Sequence, residues 1–190
     1  MLRARTLAVL GAAALVTGCN AGGDRRRANP GDAVTAAGDG ATPPYGSSRK
    51  ASRDFAALVD EYLDGWAGFY PAIAAGNGLH QHDDQLEDFS AANIARQLSW
   101  FREMKARLYG ISTDSLTADE RVDHRILGGV IDGWVLDLDV ARSWQRNPMI
   151  YASAIADGVH NLMTMESAPP EERMRRVTGK LRQVPALLAA

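Results

Sequence analysis

Large apolar residues recur every three or four positions from Ser52 onward, and this spacing constrains the fold more than any other feature of the chain. The first stretch contains Leu58, Val59, Tyr62, Leu63, Trp66, Phe69, Tyr70 and Ile73. Such spacing places side chains on one face of an α-helix. Alternation of apolar and polar residues, which would predict a β-strand, never extends beyond a few residues. The sequence therefore predicts an all-α fold of about five amphipathic helices over residues 52–190.

Capping and turn residues divide this pattern into helices. A Gly or Asn accepts the left-handed conformation that ends a helix, and a Ser or Thr hydroxyl accepts hydrogen bonds from the first turn. The predicted helices are one ended by Gly76-Asn77-Gly78, one from Ser90 to Gly110, one from Thr117 in a capping box with Glu120, one from Asn147-Pro148 and one from Pro169-Pro170. The apolar segment from Val184 to Ala190 predicts the start of a new helical turn without a C-cap, as expected of a chain cut within a helix.

The N-terminus resembles the signal peptide of a bacterial lipoprotein. Arg3 and Arg5 precede an apolar run from Leu7 to Val16, and the small pair Thr17-Gly18 precedes Cys19, which is the single cysteine of the chain. At about 1.5 Å per residue, an apolar helix of this length reaches about half the thickness of a hydrocarbon core. The run is therefore too short to span a membrane and suits a leader.

This resemblance implies that residues 1–18 are removed and that the Cys19 sulfur carries a lipid, with palmitate among its acyl chains. Membrane lipid would then be a partner through Cys19, and the protein would be anchored in the periplasm. Asn20 favours the outer over the inner membrane, because Asp at this position tends to retain lipoproteins in the inner membrane. Two alternatives are an N-terminal helix with a buried cysteine and secretion after cleavage near Ala14.

Composition assigns residues 19–51 to a disordered tether and excludes several classes of function. The tether is rich in Gly, Ala, Asp, Arg, Pro and Ser and has almost no large apolar residue to bury. Loss of Arg3 and Arg5 with the leader would take the formal net charge from −2 to about −4, which argues against nucleic acid as a partner. A lipidated Cys19 would leave no thiol for a disulfide or a zinc site.

Six short sequence motifs occur in order along residues 52–190. They are Phe69-Tyr70-Pro71, Gly78-Leu79-His80, Leu86-Glu87-Asp88-Phe89-Ser90, Asp123-His124-Arg125-Ile126-Leu127, Trp144-Gln145-Arg146-Asn147-Pro148-Met149-Ile150-Tyr151 and Pro169-Pro170-Glu171-Glu172-Arg173. In this order and spacing they resemble the N-terminal part of the bacterial domain of unknown function 885 family, many members of which are lipoproteins.

The resemblance implies that the chain is the N-terminal part of a larger helical fold similar to zinc metallopeptidases. Full-length relatives carry a His-Glu-x-x-Pro-Gly-His motif, whose ligands hold zinc and whose Glu activates the metal-bound water. This sequence contains no His-Glu pair. No catalytic residue is therefore carried over, zinc and a peptide substrate are expected only for a full-length protein, and this chain is expected to be inactive alone.

The densest set of chemically capable side chains is the segment His80-Gln81-His82-Asp83-Asp84. His80 and His82 are two positions apart and should point in different directions, which disfavours a shared metal ion. We predict that His80, His82 and Asp83 line a substrate cleft; the alternative is a polar loop in which Asp83 and Asp84 stay solvated. No metal-binding residue is predicted.

Other histidines favour structural roles. His124 lies beside the apolar stripe of the third helix, where either it is a buried, hydrogen-bonded histidine or Asp123 pairs with a neighbouring arginine. His160-Asn161 is interpreted as structural.

An alternative to the enzyme hypothesis is a small helical lipoprotein that acts as a binding or scaffold module. If the chain is a fragment, it should expose apolar surface intended for the missing part.

Overall fold

The computed structural model describes residues 45–190, with side chains described from residue 48. This part is all-helical without a β-strand, which confirms the predicted fold class. The helices are α1 (Tyr45–Phe69), α2 (Pro71–Gly76), α3 (Ala91–Tyr109), α4 (Ala118–Leu136), α5 (Ser143–Arg146), α6 (Met149–Thr164) and α7 (Pro170–Leu188). A 3₁₀ turn spans Thr113–Ser115, and a π-helical turn, Asp137–Ala141, follows α4. The leader, Cys19 and the first part of the predicted tether lie outside the described residues.

Two predicted boundaries near α1 need correction. The helix begins at Tyr45, inside the segment assigned to the tether. It also stops at Phe69, whereas the apolar spacing predicted one helix as far as Gly76. Pro71 has no N–H to continue the hydrogen-bond ladder, and Tyr70 before it takes the non-helical angles φ −127° and ψ 62°. The short helix α2 therefore leaves the axis of α1.

The other predicted caps are confirmed. The Ser90 hydroxyl accepts from the backbone N–H of Asn93 at 3.3 Å, and Gly110 ends α3. Thr117 and Glu120 form the full capping box at the start of α4. The last element differs from its prediction, because α7 continues through Pro185 to Leu188 and no new turn begins there. Burial of Leu187 at 4% exposure holds this final turn against the core.

The helices pack in two groups that share one core. In one group α3 packs between α1 and α4, and in the other α6 packs between α2 and α7. Aromatic rings join the groups, since the Trp134 ring stacks on Tyr70 at 4.3 Å and on Phe101 at 5.9 Å between centroids. Burying a large apolar side chain contributes about 1.5–3 kcal/mol to the free energy of folding.

In residues 45–190, every helix is too short or too polar to cross a membrane.

Candidate functional site between the α2–α3 loop and α7

The loop that joins α2 to α3 is held against α7 by a glutamine. The side-chain amide of Gln183 donates to the backbone carbonyl of Asp84 at 2.7 Å. Its oxygen accepts from the backbone N–H of Leu86 at 3.0 Å. One side chain of α7 therefore replaces, for this loop, the backbone partners that a regular element would supply.

Asp83 is the centre of the polar network in this loop. Its side chain is 2% exposed and accepts from Nδ1 of His80 at 3.1 Å, from the Ser167 hydroxyl at 3.3 Å and from Nη1 of Arg176 at 3.0 Å. The interpretation of Asp83 as a solvated loop carboxylate is therefore wrong, whereas Asp84 is exposed. A buried carboxylate is stable only when its oxygens are hydrogen-bonded in this way.

A second carboxylate extends the network to the surface. Glu172 accepts from Nε of Arg176 at 2.9 Å and pairs with Arg175. Arg176 therefore bridges Asp83 and Glu172 with one guanidinium group, which can donate along several directions in its plane. The result is a network of alternating charges that connects the α2–α3 loop to the first two turns of α7.

These groups line an open cleft with a volume of about 590 Å³. Its wall includes His80, Asp83, Asp84, Arg176 and Arg182. Arginines and carboxylates are balanced in number, so the cleft has no strong preference for either sign of charge. The structure thus brings two of the three predicted cleft residues into one cavity wall.

The third predicted residue, His82, lies elsewhere. It packs against α1, where its Nε2 is 3.6 Å from the position that a Cβ on Gly68 would take. In the part of the chain that the structure describes, no three His, Cys, Asp or Glu side chains are placed to share a metal ion.

His80 and Asp83 form a hydrogen-bonded dyad, with Nδ1 of the histidine 3.1 Å from Oδ2 of the carboxylate. With Nδ1 protonated, His80 donates to the buried carboxylate, which fixes the ring and its tautomer. The Thr178 hydroxyl of the cleft wall donates to the carbonyl of Met174 at 2.9 Å. The cleft wall therefore carries polar side chains from both the α2–α3 loop and α7.

Two buried ionisable groups near the cleft escaped the sequence interpretation. Lys180 is 0% exposed and Glu87 is 5% exposed. Glu87 accepts from the N–H of Ala72 at 2.9 Å, while Nζ of Lys180 makes no hydrogen bond to the described residues. Burial raises the pKa of Glu87 and lowers that of Lys180, because both lose hydration. The available signal was the position of Lys180 within the apolar stripe of α7, between Val177 and Val184.

The remaining candidates are structural. His124 is 4% exposed and its Nε2 lies 2.9 Å from the carbonyl oxygen of Leu108, so the buried interpretation is confirmed. His160 is exposed on α6. Its neighbour Asn161 donates to the carbonyl of Ala72 at 3.0 Å and thereby ties α6 to α2.

The chain is similar in sequence to a bacterial protein family and in structure to a solved bacterial protein. A family model described as "Bacterial protein of unknown function (DUF885)" matches residues 71–190. A solved structure described as "a putative lipoprotein of unknown function from Shewanella oneidensis" superposes with a TM-score of 0.65 and 26% sequence identity. That match covers 72% of this chain and 24% of the other, so this chain spans about a quarter of the length of the solved structure it matches. No curated protein sequence matches the chain.

Proposed function

This chain belongs to the bacterial family of unknown function DUF885, and on that premise we propose that it is the N-terminal helical part of a membrane-anchored hydrolase. The hydrolase would resemble zinc metallopeptidases, as the family phrases of the sequence imply. The unequal coverage of the match, 72% of this chain against 24% of the solved lipoprotein, supports the part of the proposal that concerns a longer fold, and the hydrolase activity rests on the sequence resemblance alone. Residues 45–190 would then form one wall of a larger body.

In this proposal the chain supplies structure and substrate contacts but not the zinc ligands. The His80–Asp83 dyad and the arginines of α7 would line one side of a substrate cleft. Zinc, bound by residues outside this chain, would supply Lewis-acid activation of water. The chain alone is therefore proposed to be inactive.

The anchor is proposed to be a lipid on Cys19, facing the periplasm and with the outer membrane favoured over the inner. The sequence around Cys19 and the likeness to the Shewanella lipoprotein support this part. Labelled palmitate should be incorporated into the wild type and not into Cys19→Ala. A matched control, Thr17→Ala, keeps a small residue before the cysteine and should retain the label. Labelling of Cys19→Ala would refute the anchor.

The hydrolase proposal is tested by the codons that follow Ala190. An open frame that reaches a His-Glu-x-x-Pro-Gly-His motif is expected. A stop codon there, without such a frame nearby, would favour the alternative of a small helical lipoprotein that holds a partner. The alternative is supported by the cleft itself, whose buried carboxylate is already paired with Arg176 as in a rigid docking surface. Zinc-dependent peptide cleavage by the chain alone would contradict both.

A further inference from the structure

The face of α4 that points away from the core is apolar along its whole length. We call this face the α4 outer stripe. It consists of Val122, Ile126, Gly129, Gly133, Leu136 and, in the π-helical turn, Val140. The four large members are 45%, 44%, 58% and 64% exposed in chain order. A Cβ added to either glycine would meet no described atom within 4 Å.

The spacing of the stripe alternates between four and three residues. This alternation is the seam pattern by which one helix packs along another, with side chains of each inserted between those of its partner. The two glycines at the middle of the stripe allow the backbone of such a partner to come close. The pattern therefore fits an α-helix better than it fits a loop or a small ligand.

Exposure of the α4 outer stripe to solvent is unusual, because the opposite face of α4 is also apolar. The opposite face of the same helix is already in the core, where Leu127 and Ile131 are 0% exposed. Helices α1 and α3 lack a comparable second apolar face. Among the described side chains of these two helices, Tyr109 is the one large apolar residue that is exposed. A helix that is apolar on opposite sides is typical of a helix buried on both. Glycine also weakens a helix interior, and the described residues contain no contact that offsets this at Gly129 or Gly133.

Of the charged side chains beside the stripe, two carboxylates are neutralised within this chain, while Arg125 has no ion pair among the described residues. Asp132 and Asp139 border it, and each is paired within this chain, to Lys105 at 2.5 Å and to Arg102 at 2.7 Å. These carboxylates therefore leave little unbalanced charge to attract a strongly basic ligand. A polar rim around an apolar seam is the arrangement found where protein packs on protein.

The size of the stripe decides between a separate chain and the same polypeptide. A helix the length of α4 is about 28 Å long and about 10 Å wide, so its footprint is about a third of the roughly 800 Å² per partner of a stable interface. That area is small for two independent molecules, which must offset the lost freedom of association. It is sufficient for packing within one fold.

We propose that the α4 outer stripe seats an α-helix from the part of the DUF885 fold that this chain does not contain. This inference rests on the proposed function, because it takes the longer Shewanella lipoprotein as the form of the complete fold. The unmatched three-quarters of that protein would supply the helix.

The test introduces one arginine into the α4 outer stripe of this chain and one at the superposed position of the Shewanella lipoprotein. Gly133→Arg in this chain should leave the midpoint of urea unfolding unchanged or raise it, because the site is open and Arg is the better helix former. The same change at the superposed position of the Shewanella lipoprotein should clearly lower its Tm, because the charge would be buried. The control, Ser99→Arg on the exposed polar face of α3, should be tolerated in both proteins.

Tolerance of the stripe substitution in both proteins would overturn the proposal, because the face would then be solvated in each. A dimer of this chain that Gly133→Arg dissociates would also overturn it, in favour of a second copy. The readouts are stability and molecular mass. A Shewanella lipoprotein without peptidase activity would therefore refute the proposed function and leave this inference standing.

Discussion

Asp83 and Arg176, which are 93 residues apart in the sequence, are joined by a 3.0 Å contact between Oδ2 and Nη1. The carboxylate is 2% exposed and the guanidinium side chain 26% exposed. The pair therefore fixes the α2–α3 loop on α7 at the inner wall of the cleft. The position of His80 depends on this contact, since its ring is held by the same carboxylate.

Replacement of this carboxylate should release the loop. We expect Asp83→Ala to lower the free energy of unfolding by about 2–3 kcal/mol, less than a fully buried pair because Arg176 reaches solvent. Asp84→Ala, at the exposed neighbour, is the control and should change stability by about 0.5 kcal/mol or less. Urea unfolding followed by circular dichroism measures both. Equal losses in the two variants would show that Asp83 has no special role.

The electrostatic interaction between the buried groups Glu87 and Lys180 predicts a dependence of stability on pH. The contribution of Glu87 to stability is largest below the ordinary carboxyl pKa of 4.5 and is lost as pH rises through its raised value. Lys180→Met removes the cation that partly opposes this rise, so the pKa of Glu87 should rise further. Relative to wild type, the variant should therefore gain stability as pH falls from about 7 towards about 5, where its folded state takes up a proton.

The control for this experiment is the double variant Glu87→Gln with Lys180→Met. It has no ionisable group at this position, so the difference from wild type should lose this gain between pH 7 and 5. Unfolding midpoints in urea at several pH values are the measurement. A difference between Lys180→Met and wild type that stays constant over this range would mean that Glu87 is not the titrating group.

Tyr70 provides a test of a single buried hydrogen bond. Its hydroxyl donates to Oε1 of Gln97 at 2.8 Å, and burial raises its pKa, so it remains protonated. We expect Tyr70→Phe to cost about 1 kcal/mol, because the Gln97 oxygen loses its donor. Tyr109→Phe, at a side chain that is 57% exposed, should be close to neutral. Thermal unfolding of both variants would decide, and a larger loss at Tyr109 would contradict the assignment.

Arg142 provides a test of backbone strain. It takes the left-handed conformation, with φ 51° and ψ 49°, where the π-helical turn meets α5. Arg142→Gly should raise the free energy of unfolding by about 0.5 kcal/mol, since glycine adopts this conformation without steric cost. Arg146→Gly, in the helical conformation of α5, should instead lower it by about 0.5–1 kcal/mol. Similar effects of both substitutions would rule out strain at Arg142.

The sequence was sufficient where structure is decided locally. Ser90, Gly110 and Thr117 mark helix ends through bonds to residues within three or four positions, so their roles could be inferred from neighbours alone. The break at Pro71 was also locally encoded, but the apolar spacing on both sides outweighed it in the prediction. Spacing reports which residues face the core and not whether the backbone is continuous.

The candidate site was less predictable because its partners are distant. His80 and Asp83 were identified from their chemistry, but the burial of Asp83 depends on Ser167 and Arg176. No pattern near residue 83 indicates which carboxylate will face α7. The separation of His82 from its neighbours likewise depends on the path of the loop past α1. The chemistry of the site residues could therefore be predicted from the sequence, whereas their hydrogen-bond partners could not.

The link between Gln183 and the loop at Asp84 has a consequence for the order of folding. The two residues are 99 positions apart, so a growing chain exposes the loop long before its partner exists. Chains generally fold from the N-terminal part first, so there is an interval before α7 is present. During it, α1 can pack on α3 and α4 while Asp83 and Glu87 stay hydrated. Within residues 45–190, the cleft is thus expected to be among the last parts to form, because it needs α7.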